Sequence, residues 1–468
     1  MNTKTQPAWA LAITSVAFFM VALDALVVTT ALPAIGHDLH AELSGLQWTV
    51  NAYGLSYAAG IITAAALGDR YGRRRVFTVG LAVFTLASAG CALAPSVGWL
   101  LAARTVQGVG AAAVMPLSLT ILTGAYPAHR RGAIVGIWGG LGGLAVAGGP
   151  LIGGAVTEGL SWHWIFWLNV PIGLVALALS VTRLPETHGP RTALDVPALV
   201  LLLGAAFGLV WGLVRVSTTG WRNGSTLAAL AGGAVLLAAF VAWERRAAAP
   251  MLPIRMFRRR EFTAANLAGL CMIASLTGAV FLVAQYCQLV LGESPLATGV
   301  RLLPWTATPL LIAPVAGRLS DRIGRRVVLA SGLLLQAIGL SWFAAVAGPA
   351  TSYVAMALPL LIAGVGISMA IPTAATAALS AVAPEQLGRA SGVNSTLQRF
   401  GAVFGVAVVT TVFTASGRIA TPSTFTDGLR PALAVAAGLS LLGAFAAVAV
   451  GGRVGARRPI EASEAVPV

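Results

Sequence analysis

Asp24 interrupts the apolar run over 9–32, and Arg104 interrupts a second apolar run over 98–123. A carboxylate at bilayer depth is costly while charged, so it must hold either a proton or a counter-charge. A guanidinium at the same depth keeps its charge under all ordinary conditions. One acid and one permanent cation can therefore form a pair that a proton opens and its departure restores. That is the chemistry of proton coupling, and it breaks no covalent bond. No second carboxylate lies clearly inside an apolar run. At about 1.5 Å of helix rise per residue, Asp24 lies ~13 Å in from the end of its run near Pro33, and Arg104 ~10 Å in from the start of its run near Val97. The two charges are thus predicted at similar depth.

The elements that must hold them follow from composition. Of the 468 residues, 57% are hydrophobic and 10% charged, and the mean hydropathy is +0.85. Soluble domains carry about a quarter charged residues. The apolar residues fall into runs of about 20, the length of a helix that crosses ~30 Å of hydrocarbon. They lack the alternation of a barrel strand. Fourteen helices are predicted, over 9–32, 46–67, 76–95, 98–123, 132–157, 164–182, 196–216, 224–243, 262–291, 300–316, 327–347, 351–380, 391–415 and 431–452. The first is too long for the core of a cleavable signal and runs on into further spans. Cys91, Cys271 and Cys287 each sit inside an apolar run without pairing or metal-ligand spacing, and read as small buried residues.

Charge orients the array. Lys4 is the only lysine, so there is no P-loop and ATP is not hydrolysed by this chain. Counting alternate connections, 23 of the 30 basic residues fall on the side of the N-terminus and 5 on the other, with Arg104 and Arg399 left inside helices. That bias predicts both termini in the cytoplasm and makes nucleic-acid binding unnecessary to explain the net +15. The turn "GDRYGRRR" places five charges within Asp69–Arg75, and "SDRIGRR" repeats it 252 residues later. Asp69, Arg70, Gly72 and Arg73 match Asp321, Arg322, Gly324 and Arg325. Matched arginines alone would be anchors; a matched Asp and Gly imply duplication, as in secondary transporters. The fold class predicted is an all-α polytopic membrane protein of 14 transmembrane helices: two pseudo-symmetric six-helix bundles, over 9–182 and 262–452, plus two inserted central helices. The inserted pair and a basic linker occupy 183–261, and a tail occupies 453–468.

G-x-L-x-D-R-x-G-R-R between the second and third helices resembles the signature loop of the major facilitator superfamily, with Ala65 where the family usually has Gly. "LDALVVTTALPAI", "LQWTVNAYGLSYAA", "RTVQGVGAA", "GGPLIGG" and "WHWIFWLNVPIG" resemble motifs of its fourteen-helix drug–proton antiporter branch. The resemblance implies a central cavity lined in part by the first and fourth helices, which would bring Asp24 and Arg104 together. Asn51, Tyr53, Tyr57, Asn266, Gln285, Trp305 and Met369 fall on helices expected to line that cavity. It also marks Gly149, Pro150, Gly153 and Gly154 as the antiporter helix. There, glycines four apart leave a bare face for close contact and Pro150 kinks the helix.

The expected function is a proton-coupled antiporter in the cell membrane, exporting apolar or cationic small molecules by alternating access. Its partners would be substrate, protons and lipid, without cofactor, metal or nucleic acid, and it would work as a monomer. The duplicated Asp/Arg turns would latch the cytoplasmic ends, with Asp69 capping a neighbouring helix. A metabolite symporter shares the fold and is told apart by transport direction; a membrane enzyme or sensor would need a catalytic constellation that the chain lacks. His37, Asp38, His40 and Glu42 read as a solvated external loop. Arg399, with Gln398 and Asn394, reads either as an interfacial residue or as a functional one.

Overall fold

The computed structural model describes residues 7–189, 195–247, 250, 254–382 and 386–451. The tail expected over 453–468 lies outside them. The helices are α1 (Pro7–Asp38), α2 (Leu43–Tyr71), α3 (Arg73–Ala92), α4 (Val97–Ala125), α5 (Ala128–Gly159), α6 (Trp164–Trp167), α7 (Asn169–Arg183), α8 (Val196–Thr219), α9 (Gly224–Arg246), α10 (Arg260–Leu289), α11 (Pro295–Thr306), α12 (Thr308–Ile323), α13 (Arg325–Val346), α14 (Tyr353–Ser380), α15 (Leu387–Ser416) and α16 (Pro422–Ala447). Pairs α6/α7 and α11/α12 each make one crossing. Among the described residues, 13 helical stretches are long and apolar enough to span a membrane, and the 32-residue α5 completes the fourteen.

Two of the predicted helices are broken, each by a proline. Pro309 has no amide hydrogen for the Trp305 carbonyl and its ring crowds that carbonyl, so the run over 300–316 divides at Ala307. The freed Trp305 oxygen accepts from Thr308 Oγ1 at 2.8 Å, the usual way a hydroxyl repairs a membrane helix. Pro171 acts likewise on the run over 164–182, which breaks at Leu168. The last helix begins nine residues earlier than expected, because Thr421 and Thr424 form a reciprocal cap.

Call the side where α1 begins and α16 ends the near side, and the other the far side. Helices α1–α7 pack together, as do α10–α16, and α8 and α9 form a hairpin between them in sequence. Five far-side starts are capped by side chains, Ser96, Asn223, Ser294, Ser352 and Thr421. Two near-side turns use glycine instead: Gly72 has φ 111° and Gly324 φ 96°, values L side chains avoid. The sequence repeat is thus a repeat of backbone conformation.

The hairpin is not symmetric with respect to the two groups. Helix α8 lies along the seam between α2 and α15, setting the Phe207 ring tilted against Trp48 of α2, 5.7 Å between centres. It also accepts from Thr411 of α15 on the Leu213 carbonyl at 3.0 Å. Helix α9 packs on the outside of α8. The equivalent seam, between α5 and α11/α12, carries no such cover among the described residues.

Candidate ion-pair and cavity site

Asp24 and Arg104 meet inside the N-terminal group, each 1% exposed. Arg104 Nη1 donates to Asp24 Oδ2 at 2.5 Å. Asp24 Oδ1 accepts from Gln107 Nε2 and from Asn169 Nδ2, both at 2.9 Å. Gln107 is one turn beyond Arg104 on α4, so both reach the same spot, and Arg104 Nη1 also donates to Gln107 Oε1 at 2.7 Å. The break at Leu168 makes Asn169 the first residue of α7, and its amide also donates to Ser88 Oγ at 3.1 Å. Arg104 Nε donates to the Thr49 carbonyl at 3.2 Å, and the guanidinium lies 4.1 Å from the centre of the Tyr53 ring. Five helices therefore converge on one buried pair whose lone pairs and protons are largely matched, as a buried ion pair requires.

Sequence reasoning found the two charges and missed Gln107, Asn169, Ser88 and Thr49. Neutral amides and hydroxyls in an apolar run give no signal of depth or of the neighbour they face. Tyr53, expected in the cavity, contacts this pair, and its hydroxyl donates to the Val21 carbonyl at 3.3 Å. Met369 is part-exposed, with its Cβ beside Gly332 of α13.

The other expected cavity residues are buried. Both amide atoms of Asn51 lack a protein partner, as do Asn266 Oδ1, Gln285 Oε1 and Trp305 Nε1. Tyr57 is fully buried, with its hydroxyl on Met115 Sδ at 2.8 Å. Arg399 of α15 reaches across to it, its guanidinium 4.4 Å from the ring centre. Arg399 is ~18 Å along α15 at 1.5 Å per residue, and Tyr57 is the midpoint of α2. Arg399 therefore lies level with the middle of α2 rather than at an end of α15. Asp38, expected to be solvated, accepts from the Trp162 indole at 2.8 Å.

At the near-side turn the expected cap is supplied by another residue. Asp69 pairs with Arg73, one turn on, at 2.8 Å. Glu186, just past α7, accepts from the backbone amides of Arg74 and Arg75 at 3.0 and 3.2 Å, so it caps α3 where the helix end favours an anion. Glu186→Gln should therefore lower the thermal stability of the detergent-purified protein by about 1 kcal/mol. Asp69→Asn should cost less, since a half-exposed pair contributes ~0–1 kcal/mol. The reverse order in a melting series would refute this assignment. In the second turn Asp321 makes no ion pair among the described residues, and Arg325 donates to Ser380.

Residues 14–406 and 303–466 match the family model described as Major Facilitator Superfamily. The chain belongs to the major facilitator superfamily. It is 36% identical over 397 residues to the tetracenomycin C resistance and export protein of Streptomyces glaucescens, covering 84% of this chain and 74% of that one. It is 35% identical over 405 residues to multidrug resistance protein Stp of Mycobacterium tuberculosis, covering 86% and 75%. It is 36% identical over 433 residues to the cephamycin export protein of Amycolatopsis lactamdurans, covering 90% and 88%. A crystal structure of a peptide transporter in complex with sulfate superposes with a TM-score of 0.68 at 15% identity, over 94% of each chain, and shares the fold.

In this superfamily member the two groups touch on the far half. A Cβ at Gly154 would lie 2.2 Å from the Pro295 carbonyl oxygen, and one at Gly299 would lie 2.5 Å from that of Pro150. Leu296 N donates to Glu158 Oε2 at 3.0 Å, and Gln288 Nε2 to the Thr30 carbonyl at 2.8 Å. Gly149 and Gly153 turn the other way, against Leu26 and Val27 of α1. Nearer the start of α5, a Cβ at Gly140 or Gly143 would meet nothing within 4 Å. The two groups are closed against each other on the far half, while Trp138 in the near half of α5 stacks on Phe18 of α1.

Proposed function

We propose that the transporter exports small organic molecules in exchange for protons by alternating access, with Asp24 as the proton carrier and Arg104 as its partner. The observation that carries this reading is the buried pair itself: a lone membrane carboxylate held by a permanent cation at the meeting point of five helices. Protonating Asp24 removes the charge that Arg104 answers, so the α1–α4 contact is the natural place for a proton to change helix packing. The resistance and export proteins among the relatives support the outward direction and the drug-like substrate class.

On this reading the near side is the cytoplasm, as the arginine bias requires, and both termini lie there. Residues 9–182 and 262–452 are the two moving bundles, with 183–261 as hairpin and linker. Asn51, Asn266, Gln285 and Trp305 face the substrate path, their open hydrogen-bonding groups being costly to leave unmatched otherwise, and Tyr57 joins them beside Arg399. The turns with Asp69, Arg70, Gly72 and Arg73, and with Asp321, Arg322, Gly324 and Arg325, work at the cytoplasmic gate. Gly149, Pro150, Gly153 and Gly154 form the far-side seal. One chain supplies every group invoked, so a monomer suffices.

Inside-out membrane vesicles test the proposal. With the vesicle lumen made acid, a panel of dyes and aromatic antibiotics should include compounds that accumulate inside, with accumulation lost on collapsing the pH gradient. Movement of substrate and proton in the same direction would establish a symporter and overturn export.

A further inference from the structure

Arg399 is the charge the proton-coupling site does not use. Asp24 has both oxygens engaged by Arg104, Gln107 and Asn169, so no free carboxylate remains there to receive a cationic compound. The sequence admitted apolar or cationic substrates; in the folded chain the membrane acid is already matched. Arg399 stands in the opposite condition. It is half-buried on α15, across the seam from α2, and makes no ion pair with any carboxylate among the described residues. Its guanidinium is held by the face of the Tyr57 ring, which orients it without neutralising it. Gln398 and Asn394, on the same helix, bond to each other beside Gly269 of α10.

We propose that Arg399 sets the charge preference of the substrate cavity, so that the transporter binds planar compounds carrying one acidic oxygen (a phenolate, an enolate or a carboxylate) in preference to cations of the same shape. This rests on the export reading for its biological sense, but not for its test. A guanidinium is flat, always charged and weakly hydrated, so it both stacks on an aromatic compound and forks onto an anionic oxygen. A cation placed ~8 Å from it, at an effective dielectric of ~20, would be disfavoured roughly 30-fold by repulsion alone.

Fluorescein methyl ester and rhodamine 123 are a suitable pair, since they share one xanthene skeleton and differ in an anionic oxygen against a cationic nitrogen. Their affinities for the full-length protein in nanodiscs, read by fluorescence polarisation, should differ by roughly 30-fold or more in favour of the anion. Arg399→Gln should bring the ratio near unity, and Arg399→Lys should keep the anion ahead, which a merely structural role would not produce. Equal affinities in the unaltered protein, tighter binding of rhodamine 123, binding of neither dye, or an unchanged ratio in a folded Arg399→Gln protein would each overturn the proposal. Because binding is measured without a pH gradient, failure of proton-driven flux in vesicles would remove the export reading and leave this result standing.

Discussion

Asp24→Asn should abolish proton-driven export and, although nearly isosteric, should also destabilise the fold. The amide cannot carry the exchanged proton, which removes coupling. The second effect follows from Arg104, which is 1% exposed and keeps its charge. Without the Asp24 charge that guanidinium has uncharged partners around it, the Thr49 carbonyl, Gln107 and the Tyr53 and Phe166 rings. Breaking one side of a buried pair typically costs ~3–5 kcal/mol, whereas removing both sides costs much less. Asp24→Asn combined with Arg104→Gln should therefore regain most of the thermal stability while remaining uncoupled. Melting in detergent and pH-gradient-driven efflux measure the two effects separately. Undiminished proton-driven efflux by the single variant would remove Asp24 from its role. A double variant as unstable as the single one would show that the pair's charge balance is not what the fold depends on.

A single methyl group at Gly154 should cut turnover by about tenfold or more. Its position, 2.2 Å from a backbone oxygen of α11, leaves no side chain to swing aside. The two helices would have to part by ~1 Å to reach ordinary contact. Overpacking of this kind costs ~1–3 kcal/mol, and here the cost falls only on the state in which the far half is sealed. A state-dependent term of that size shifts a two-state equilibrium roughly 5–150-fold. In Gly154→Ala, thiol labelling of a cysteine introduced at Thr30 should rise as turnover falls. Gly438→Ala on α16, where a Cβ meets nothing within 4 Å, should change neither. Normal turnover with unchanged labelling in Gly154→Ala would mean that this contact is static packing.

Most of the crossing pattern was legible in the sequence because hydropathy and chain length act over twenty residues at a time. The repeat of Asp69–Arg73 at Asp321–Arg325 was legible because a left-handed turn restricts its residue to glycine, and both turns adopt one. The breaks at Leu168 and Ala307 depend on single prolines, and prolines also lie inside unbroken helices such as α4 and α14. Type alone therefore does not say which proline breaks a helix. Asp24 and Arg104 could be paired in advance from their depths, since charges at bilayer depth are few. Gln107, Asn169 and Glu186 could not, because their meaning lies in what they face. Nor could the sequence divide the two tyrosines: Tyr53 and Tyr57 remain in edge contact, ring centres 5.6 Å apart, while the fold gives one ring to Arg104 and the other to Arg399.

The hairpin of α8 and α9 has a consequence of parity. The chain leaves α7 at Arg183 and enters α10 at Arg260, and between them it crosses twice, so it returns to the face it left. Every helix after the hairpin keeps the sense it would have had without it. A single inserted helix would have turned α10–α16 upside down, setting Gly324 on the face opposite Gly72 and reversing the arginine bias of one half against the other. An even insertion is the only kind a duplicated chain of this sort can accept while one rule of orientation still holds from end to end.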